Sequence, residues 1–123
     1  MATILLVEDN DDVREMMAVA LELGGHKVMS ASNGRAALEL LSESQRPAVI
    51  VLDLMMPVMN GWELSRVLSA DPRLADIPVV VVSAVSSDIA HRLAGREVVR
   101  KPVDIEQLLD VVNQQCLGVG GSS

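Results

Sequence analysis

The sequence predicts an α/β protein with a five-stranded, doubly wound parallel sheet. Several short runs along the chain are almost wholly apolar, which is typical of strands covered on both faces. Segments with helical spacing of apolar residues lie between these runs. Because strands and helices alternate, we expect parallel strands joined by right-handed crossovers.

The predicted strands cover residues 4–7, 27–31, 48–52, 77–82 and 97–100. Apolar residues repeat at helical spacing after the first strand and after the fifth. They are Val13, Met16, Met17, Ala20 and Leu21, and then Ile105, Leu108, Leu109 and Val112. Each of these two helices is expected to bury one stripe.

Local signals mark several helix ends. Asn60 with Glu63, and Asp104 with Gln107, have the spacing of a capping box at a helix start. The glycines at 24 and 25 are expected to end the first helix, and Asp71 with the proline after it to end the third.

Length and composition predict one soluble domain of the cytoplasm. With 123 residues, 50% of them hydrophobic, the chain can form one core, which we assign to residues 1–117, with a flexible tail or linker stub at 118–123. The formal charge of -7 argues against direct binding to nucleic acid or to an anionic membrane. Cys116 is the sole cysteine, so no internal disulfide can form, and no apolar run approaches the roughly 20 residues that span a bilayer.

Polar side chains stand where four of the predicted strands end. The first strand is followed by Glu8 and Asp9, the third by Asp53, the fourth by Ser83 and the fifth by Lys101. In a doubly wound sheet, ligands bind outside the carboxyl ends of the strands. With the strand order 2-1-3-4-5, the first and third strands are neighbours and all of these groups converge on one crevice.

Each of these residues alone has a simpler explanation. An acidic pair before a helix is usually a cap or a partner of the helix dipole. Asp53 alone is compatible with a turn, Ser83 with a cap, and Lys101 with an ordinary solvated lysine. Four such coincidences at one sheet edge are much rarer than any one of them, so we interpret the set as a functional site.

Three carboxylates at one edge require a positive partner, because at about 4 Å each pair repels by a few kcal/mol at an effective dielectric constant near 20. Mg²⁺ fits, since it binds one or two carboxylates together with water and phosphate oxygens. Calcium needs more protein ligands, and no His or Cys cluster indicates zinc. A magnesium ion beside a hydroxyl and an ammonium group predicts phosphoryl transfer, with Asp53 as nucleophile and Ser83 and Lys101 binding the phosphoryl oxygens.

Four segments resemble the signature segments of response-regulator receiver domains, the phospho-acceptor modules of two-component signalling. They read ILLVEDN, VIVLDLMMPVMNGWEL, VVVVSA and VVRKPVD, and the resemblance spans residues 3 to 116. It implies the flavodoxin-like (βα)5 topology of the CheY-like superfamily. It also implies that a histidine kinase or phosphotransfer protein donates the phosphoryl group, and that a further, unidentified protein partner responds to it.

The resemblance implies roles for individual residues. Asp53 would be phosphorylated, and Mg²⁺ would be bound by Asp9, Asp53 and the backbone carbonyl of Met55. Glu8 would act mostly through water. Met55 would also flank the phosphoryl group and limit the approach of hydrolytic water.

The remaining family positions bind the phosphoryl group or respond to it. Ser83 matches the family's switch hydroxyl, and Lys101 matches its phosphate-pairing lysine. Ala84, being small, would leave the phosphoryl pocket open. The Lys101–Pro102 peptide bond is expected to be cis, a conformation that costs little before proline.

The chain departs from the family pattern in two places. Val98 stands where the family usually has Tyr or Phe, so the aromatic half of the usual switch is missing. The segment between Ser83 and Lys101 is about one helical turn shorter than usual, which predicts a shortened fourth helix over residues 89–94. The output surface that this helix often forms in the family is therefore not carried over to this chain.

The sequence thus predicts a signalling module that accepts a phosphoryl group on Asp53 and assists its own phosphorylation and dephosphorylation, without being an enzyme for other substrates. The alternative is a receiver-like interaction module that works without phosphorylation, which Val98 and the short fourth helix favour. A phosphatase would need a second Asp where Met55 stands. A flavin-binding domain would need a Gly-rich loop after the first strand, where this chain is acidic.

Overall fold

Parallel strands with helices between them make up the described part of the computed structural model, residues 3–43, 46–53, 61–83, 97–100 and 103–120. The strands are β1 (Thr3–Val7), β2 (Lys27–Ala31), β3 (Val49–Asp53), β4 (Val79–Ser83) and β5 (Glu97–Arg100). The helices are α1 (Asp11–Leu23), α2 (Gly34–Glu43), α3 (Gly61–Ala70) and a C-terminal helix (Ile105–Gly120). The predicted short helix at 89–94 lies outside the described residues.

The strands form one sheet in the order β2-β1-β3-β4-β5, and every neighbouring pair is parallel. The predicted α/β class and strand order are therefore confirmed. Val7 in β1 pairs with Leu52 in β3, and Asp53 pairs with Val82 in β4. This register aligns the carboxyl ends of the strands, where the polar residues stand.

Two hydrophobic clusters cover the two faces of the sheet, because successive strand residues point to opposite sides. Leu5 and Leu52 belong to the cluster on one face, which the helices α2 and α3 cover with residues such as Leu64. Leu6 and Val51 belong to the other, which α1 and the C-terminal helix cover. Burial on both faces explains why these strands are almost wholly apolar.

The sequence placed two strand starts too early. β3 begins at Val49 and β4 at Val79, whereas the predicted strands begin one and two residues before them. Ile77 is buried, but its N–H donates to the carbonyl of Leu74 at 3.1 Å in the preceding turn. Apolarity reports burial and does not distinguish a buried turn residue from a strand residue.

The buried stripe of α1 is narrower than predicted. Met17, Ala20 and Leu21 are buried, but Met16 is 45% exposed. Met16 lies about 100° around the helix from Met17, beyond the edge of the face that meets the sheet. In the C-terminal helix, Leu108 and Val112 are fully buried, as predicted.

Helix ends agree with the predicted signals where the structure describes them. The N–H of Gln107 donates to the Asp104 carboxylate at 3.2 Å, which confirms this cap. Gly24 follows α1, and Gly25 has a φ of 95°, which favours glycine. Asn60 lies outside the described residues. The C-terminal helix continues to Gly120, into the segment predicted as a tail.

The helices in the described residues do not meet the requirements of a membrane-spanning helix. None of them combines the length and the hydropathy that a bilayer-spanning helix needs.

Candidate metal and phosphoryl site

Three acidic residues meet at the carboxyl ends of β1 and β3. One carboxylate oxygen from each of Glu8, Asp9 and Asp53 lies within 4.8 Å of the others. Glu8 is 1% exposed and Asp53 is 3% exposed, whereas Asp9 is exposed. Because Val7 pairs with Leu52, the next residues along the two strands are Glu8 and Asp53, so the sheet register itself brings this pair together.

The turn after β1 is held by hydrogen bonds on both sides of Asp9. The Glu8 N–H donates to the carbonyl of Ala31 at 3.0 Å, which extends the β1–β2 ladder by one residue. On the other side, the Asn10 side-chain oxygen accepts from the N–H of Val13 at 2.9 Å and caps α1. Asp9 therefore stands between a strand end and a helix start that are both fixed.

Arg14 joins this turn from inside α1. Its Nη1 donates to the backbone carbonyl of Glu8 at 2.9 Å, and its Nη2 donates to the carboxylate of Asp11. Sequence reasoning missed this residue. The Asp11–Arg14 spacing signals a helix-surface ion pair, but no sequence pattern indicates that a side chain binds a backbone carbonyl six residues earlier.

The acidic cluster fits a small, hard cation. Two ligands on opposite sides of one Mg²⁺ lie about 4.2 Å apart when each bond is about 2.1 Å. The observed limit of 4.8 Å is slightly larger. Carboxylate oxygens are the donors that Mg²⁺ prefers, and the spacing of these three is of the size of its coordination sphere.

For two other predicted site residues, Ser83 and Val98, the structure describes the backbone position only. Ser83 ends β4 and pairs with Arg100, and it follows Val82, the partner of Asp53. Val98 in β5 pairs with Val81. The side chains at 83 and 98 are not described.

Four predicted site residues lie outside the described residues: Met55, Ala84, Lys101 and Pro102. The structure thus brings together the three acids and leaves the remaining roles as proposals.

The described part of the chain also has a cavity away from these acids. It is an open cleft of about 620 Å³, lined by Leu38, Leu41, Ser42, Arg46, Asp71, Arg73 and Leu74. These residues come from α2, from the segment between α2 and β3 and from the turn after α3, so they lie toward the amino ends of the strands, whereas the acids lie at the carboxyl ends. Asp71 and Arg73 form an exposed ion pair there, and hydrogen bonds from Arg73 lower the pKa of the Asp71 carboxyl. No predicted site residue lines this cavity, so the acidic cluster is the better candidate for chemistry.

The match to known proteins covers nearly all of the chain. Residues 4–113 match the family described as response regulator receiver domain. The chain belongs to this family. The receiver domain is 33% identical to Protein PilH of Pseudomonas aeruginosa over 122 residues, covering 96% of this chain and all of PilH. It is 38% identical to the phosphate regulon transcriptional regulatory protein PhoB of the same organism, covering 78% of this chain but 41% of PhoB.

Solved structures show the same fold. The receiver domain superposes on the signal receiver domain of a signal transduction histidine kinase from Syntrophus aciditrophicus with a TM-score of 0.89 and 33% identity, covering 97% of this chain and 92% of that chain. It superposes on the chemotaxis protein CheY4 of Vibrio cholerae with a TM-score of 0.83 and 28% identity, covering 93% and 98%. These matches confirm the predicted resemblance.

Proposed function

We propose that this receiver domain accepts a phosphoryl group on Asp53 from a phosphohistidine of a histidine kinase or phosphotransfer protein. The observation that carries the proposal is the position of Asp53. It is 3% exposed at the tip of a central strand, and its carboxylate lies within 4.8 Å of those of Glu8 and Asp9. Membership of the receiver family supports this reading, because receiver domains bind Mg²⁺ at an acidic pocket. We assign the exchange to the cytoplasm.

The residues of the chain divide the work of holding the cation. Asp9, Asp53 and the backbone carbonyl of Met55 would bind Mg²⁺ directly, and Glu8 would orient a water ligand. When bound, Mg²⁺ supplies positive charge beside the phosphoryl oxygens and offsets the repulsion among the carboxylates.

Transfer requires only one nucleophile from this chain. A carboxylate oxygen of Asp53 forms a bond to phosphorus as the P–N bond of the phosphohistidine breaks, and the imidazole nitrogen leaves with the bonding electron pair. The Ser83 hydroxyl donates a hydrogen bond to one phosphoryl oxygen, and the Lys101 ammonium pairs with another. Ala84 leaves space for the group.

The phosphoryl group then changes the affinity for a downstream protein. Contacts to Ser83 and Lys101 exist only in the phosphorylated state, so they shift the population toward an active arrangement. Val98 has no aromatic ring to rotate inward. The response of this chain therefore depends on the hydroxyl and lysine contacts alone.

The test is phosphorylation by a small phosphodonor. The protein is incubated with Mg²⁺ and acetyl phosphate, and its intact mass is measured. We expect a gain of one phosphoryl group that is absent with a chelator, is removed by hydroxylamine as an acyl phosphate should be, and is abolished in Asp53→Asn. Asp12→Asn is the matched control, because it makes the same chemical change at an exposed aspartate of α1.

Other outcomes identify the alternatives. If the wild-type protein gains no phosphoryl group, the phosphorylation-independent interaction module is favoured. If Asp53→Asn retains the gain, Asp53 is not the acceptor. Rapid turnover of unrelated phosphate esters would indicate a phosphatase.

A further inference from the structure

We propose that Arg14 is a positioning residue of the cation site: its guanidinium fixes the turn that presents Glu8 and Asp9. The inference deepens the proposed function and rests on it, since it concerns the same Mg²⁺ site. The Arg14 guanidinium donates to the backbone carbonyl of Glu8 and to the carboxylate of Asp11. It acts through the backbone carbonyl of Glu8, to which it donates at 2.9 Å.

The contact completes the restraints on Glu8. On the amino side, the Glu8 N–H is bound to the carbonyl of Ala31 in β2 at 3.0 Å. On the carboxyl side, the Glu8 carbonyl is bound by Arg14. The carbonyl of Glu8 and the Cα of Asp9 belong to the same planar peptide unit. Fixing this carbonyl therefore fixes the peptide plane that carries the N and Cα of Asp9, and rotation about the Asp9 N–Cα bond is the backbone freedom that still directs its side chain.

Arg14 is itself anchored at two further points. Its backbone N–H donates to the carbonyl of Asn10 at 2.8 Å, and its second guanidinium arm donates to the carboxylate of Asp11. Its side chain is only 23% exposed, whereas that of Asp11 is 85% exposed. The guanidinium thus bridges the strand end to the first turn of α1. A planar fork suits this task, because its donors reach two separate acceptors at once, which the single head of a lysine does less well.

A simple charge effect makes the opposite prediction. A cation beside Glu8, Asp9 and Asp53 repels Mg²⁺, so removing it would strengthen Mg²⁺ binding. If Arg14 positions the turn, its removal weakens Mg²⁺ binding, because the ligands lose their alignment. The sign of the change in Mg²⁺ affinity separates the two roles.

The experiment measures Mg²⁺ affinity by titration calorimetry for the wild type, Arg14→Met, Arg14→Lys and Arg73→Met. We expect about a tenfold loss of affinity in Arg14→Met, of the size seen when a group that orients a metal ligand is removed. Arg14→Lys keeps the charge and should still lose several-fold. Arg73→Met makes the same charge change in an exposed ion pair in the turn after α3, toward the amino ends of the strands, and should bind within about twofold of the wild type.

A second pair of variants tests the anchor without touching Arg14. Asp11→Asn weakens one of the two contacts of the Arg14 guanidinium, the one with residue 11. Asp12→Asn removes an equal charge from the same helical turn. We expect weaker Mg²⁺ binding in Asp11→Asn than in Asp12→Asn. Circular dichroism and thermal unfolding identify any variant that fails to fold. If Arg14→Met fails to fold, the comparison of Asp11→Asn with Asp12→Asn tests the positioning role instead.

Phosphorylation kinetics give a further readout. The Arg14 variants should need more Mg²⁺ for half-maximal phosphorylation, yet approach the wild-type rate at saturating Mg²⁺. Affinity equal to or tighter than that of the wild type in Arg14→Met overturns the proposal. So does a rate defect that Mg²⁺ does not relieve. A wild-type protein that binds Mg²⁺ but gains no phosphoryl group overturns the proposed function alone, because the affinity comparison does not require phosphorylation.

Discussion

Leu21 and Leu23 lie two residues apart on α1, yet Leu21 is fully buried and Leu23 is 84% exposed. Two residues correspond to about 200° around a helix, so the two side chains point in nearly opposite directions. Leu21 packs in the cluster between the sheet, α1 and the C-terminal helix. The same residue type therefore contributes to the core at one position and lies on the surface at the other.

Substitution of these two leucines should have very different effects on stability. Leu21→Ala leaves a cavity in a packed core and should lower the free energy of unfolding by about 2–5 kcal/mol. Leu23→Ala removes little buried surface and should change the free energy of unfolding by less than about 0.5 kcal/mol. Urea unfolding followed by circular dichroism measures both. Equal effects of the two substitutions would contradict the orientation of α1 described above.

Mg²⁺ should stabilise the folded protein. An ion that binds only the folded state at ten times its dissociation constant adds about 1.4 kcal/mol, or roughly 5 °C in Tm for a domain of this size. Asp9→Asn should abolish most of this gain, because Asp9 belongs to the acidic cluster. With a chelator present, the same variant should be at least as stable as the wild type, since one repulsive charge is gone.

Thermal unfolding with Mg²⁺ and with chelator tests this linkage. Asp12→Asn is the control that should keep the full Mg²⁺-dependent increase. A wild-type Tm that does not respond to saturating Mg²⁺ would count against the metal site.

The start of α2 should depend on Asn33. The Asn33 side-chain oxygen accepts a hydrogen bond from the N–H of Ala36 at 2.8 Å, and its carbonyl accepts from the N–H of Ala37 at 3.1 Å. Asn33→Ala removes the side-chain cap and should cost about 1 kcal/mol of unfolding free energy. Asn33→Asp keeps a hydrogen-bond acceptor at the helix start, so its unfolding free energy should be close to that of the wild type. Denaturant midpoints distinguish these results, and no rescue by Asp would show that the cap is not the cause.

Cys116 should make the free energy of unfolding depend on pH in the alkaline range. Burial raises the pKa of the Cys116 thiol above its usual value of 9.0, because the thiolate loses hydration in the folded protein. Well below pH 9, the thiol is protonated in both states and contributes no pH dependence. As pH rises above 9, the unfolded chain ionises first, so stability falls. Cys116→Ala should lack this part of the decline.

Alkylation of Cys116 provides an independent measurement. The rate of reaction with iodoacetamide should rise with pH along a curve whose midpoint lies above 9 in native protein, and shift to lower pH in urea. A native midpoint at or below 9 would contradict the effect of burial.

Much of the architecture was predictable from local pattern. Unbroken apolar runs indicated strands covered on both faces, and the two hydrophobic clusters bear this out. Asp104 was identified as a helix cap from spacing alone, and its hydrogen bond to Gln107 is present. Such signals can be read from the sequence because caps, turns and periodicity depend on residues that are close in the chain.

Strand boundaries and the edges of buried faces were less accessible to sequence reasoning. Ile77 is buried in a turn before β4, and Met16 is half exposed beside the buried Met17. Both residues are apolar and fit the expected period. Their environment depends on which neighbouring element packs against them, and a short apolar run does not contain that information.

By itself, the sequence determined the class of fold, the order of its elements and the acidic character of the strand ends, because these depend on residue type and on near neighbours. Tertiary structure decided the register between neighbouring strands, how far Glu8 and Asp53 are buried, and that Arg14 binds the Glu8 carbonyl. These features arise from packing and register across the sheet, which set distances between groups that the linear pattern leaves free.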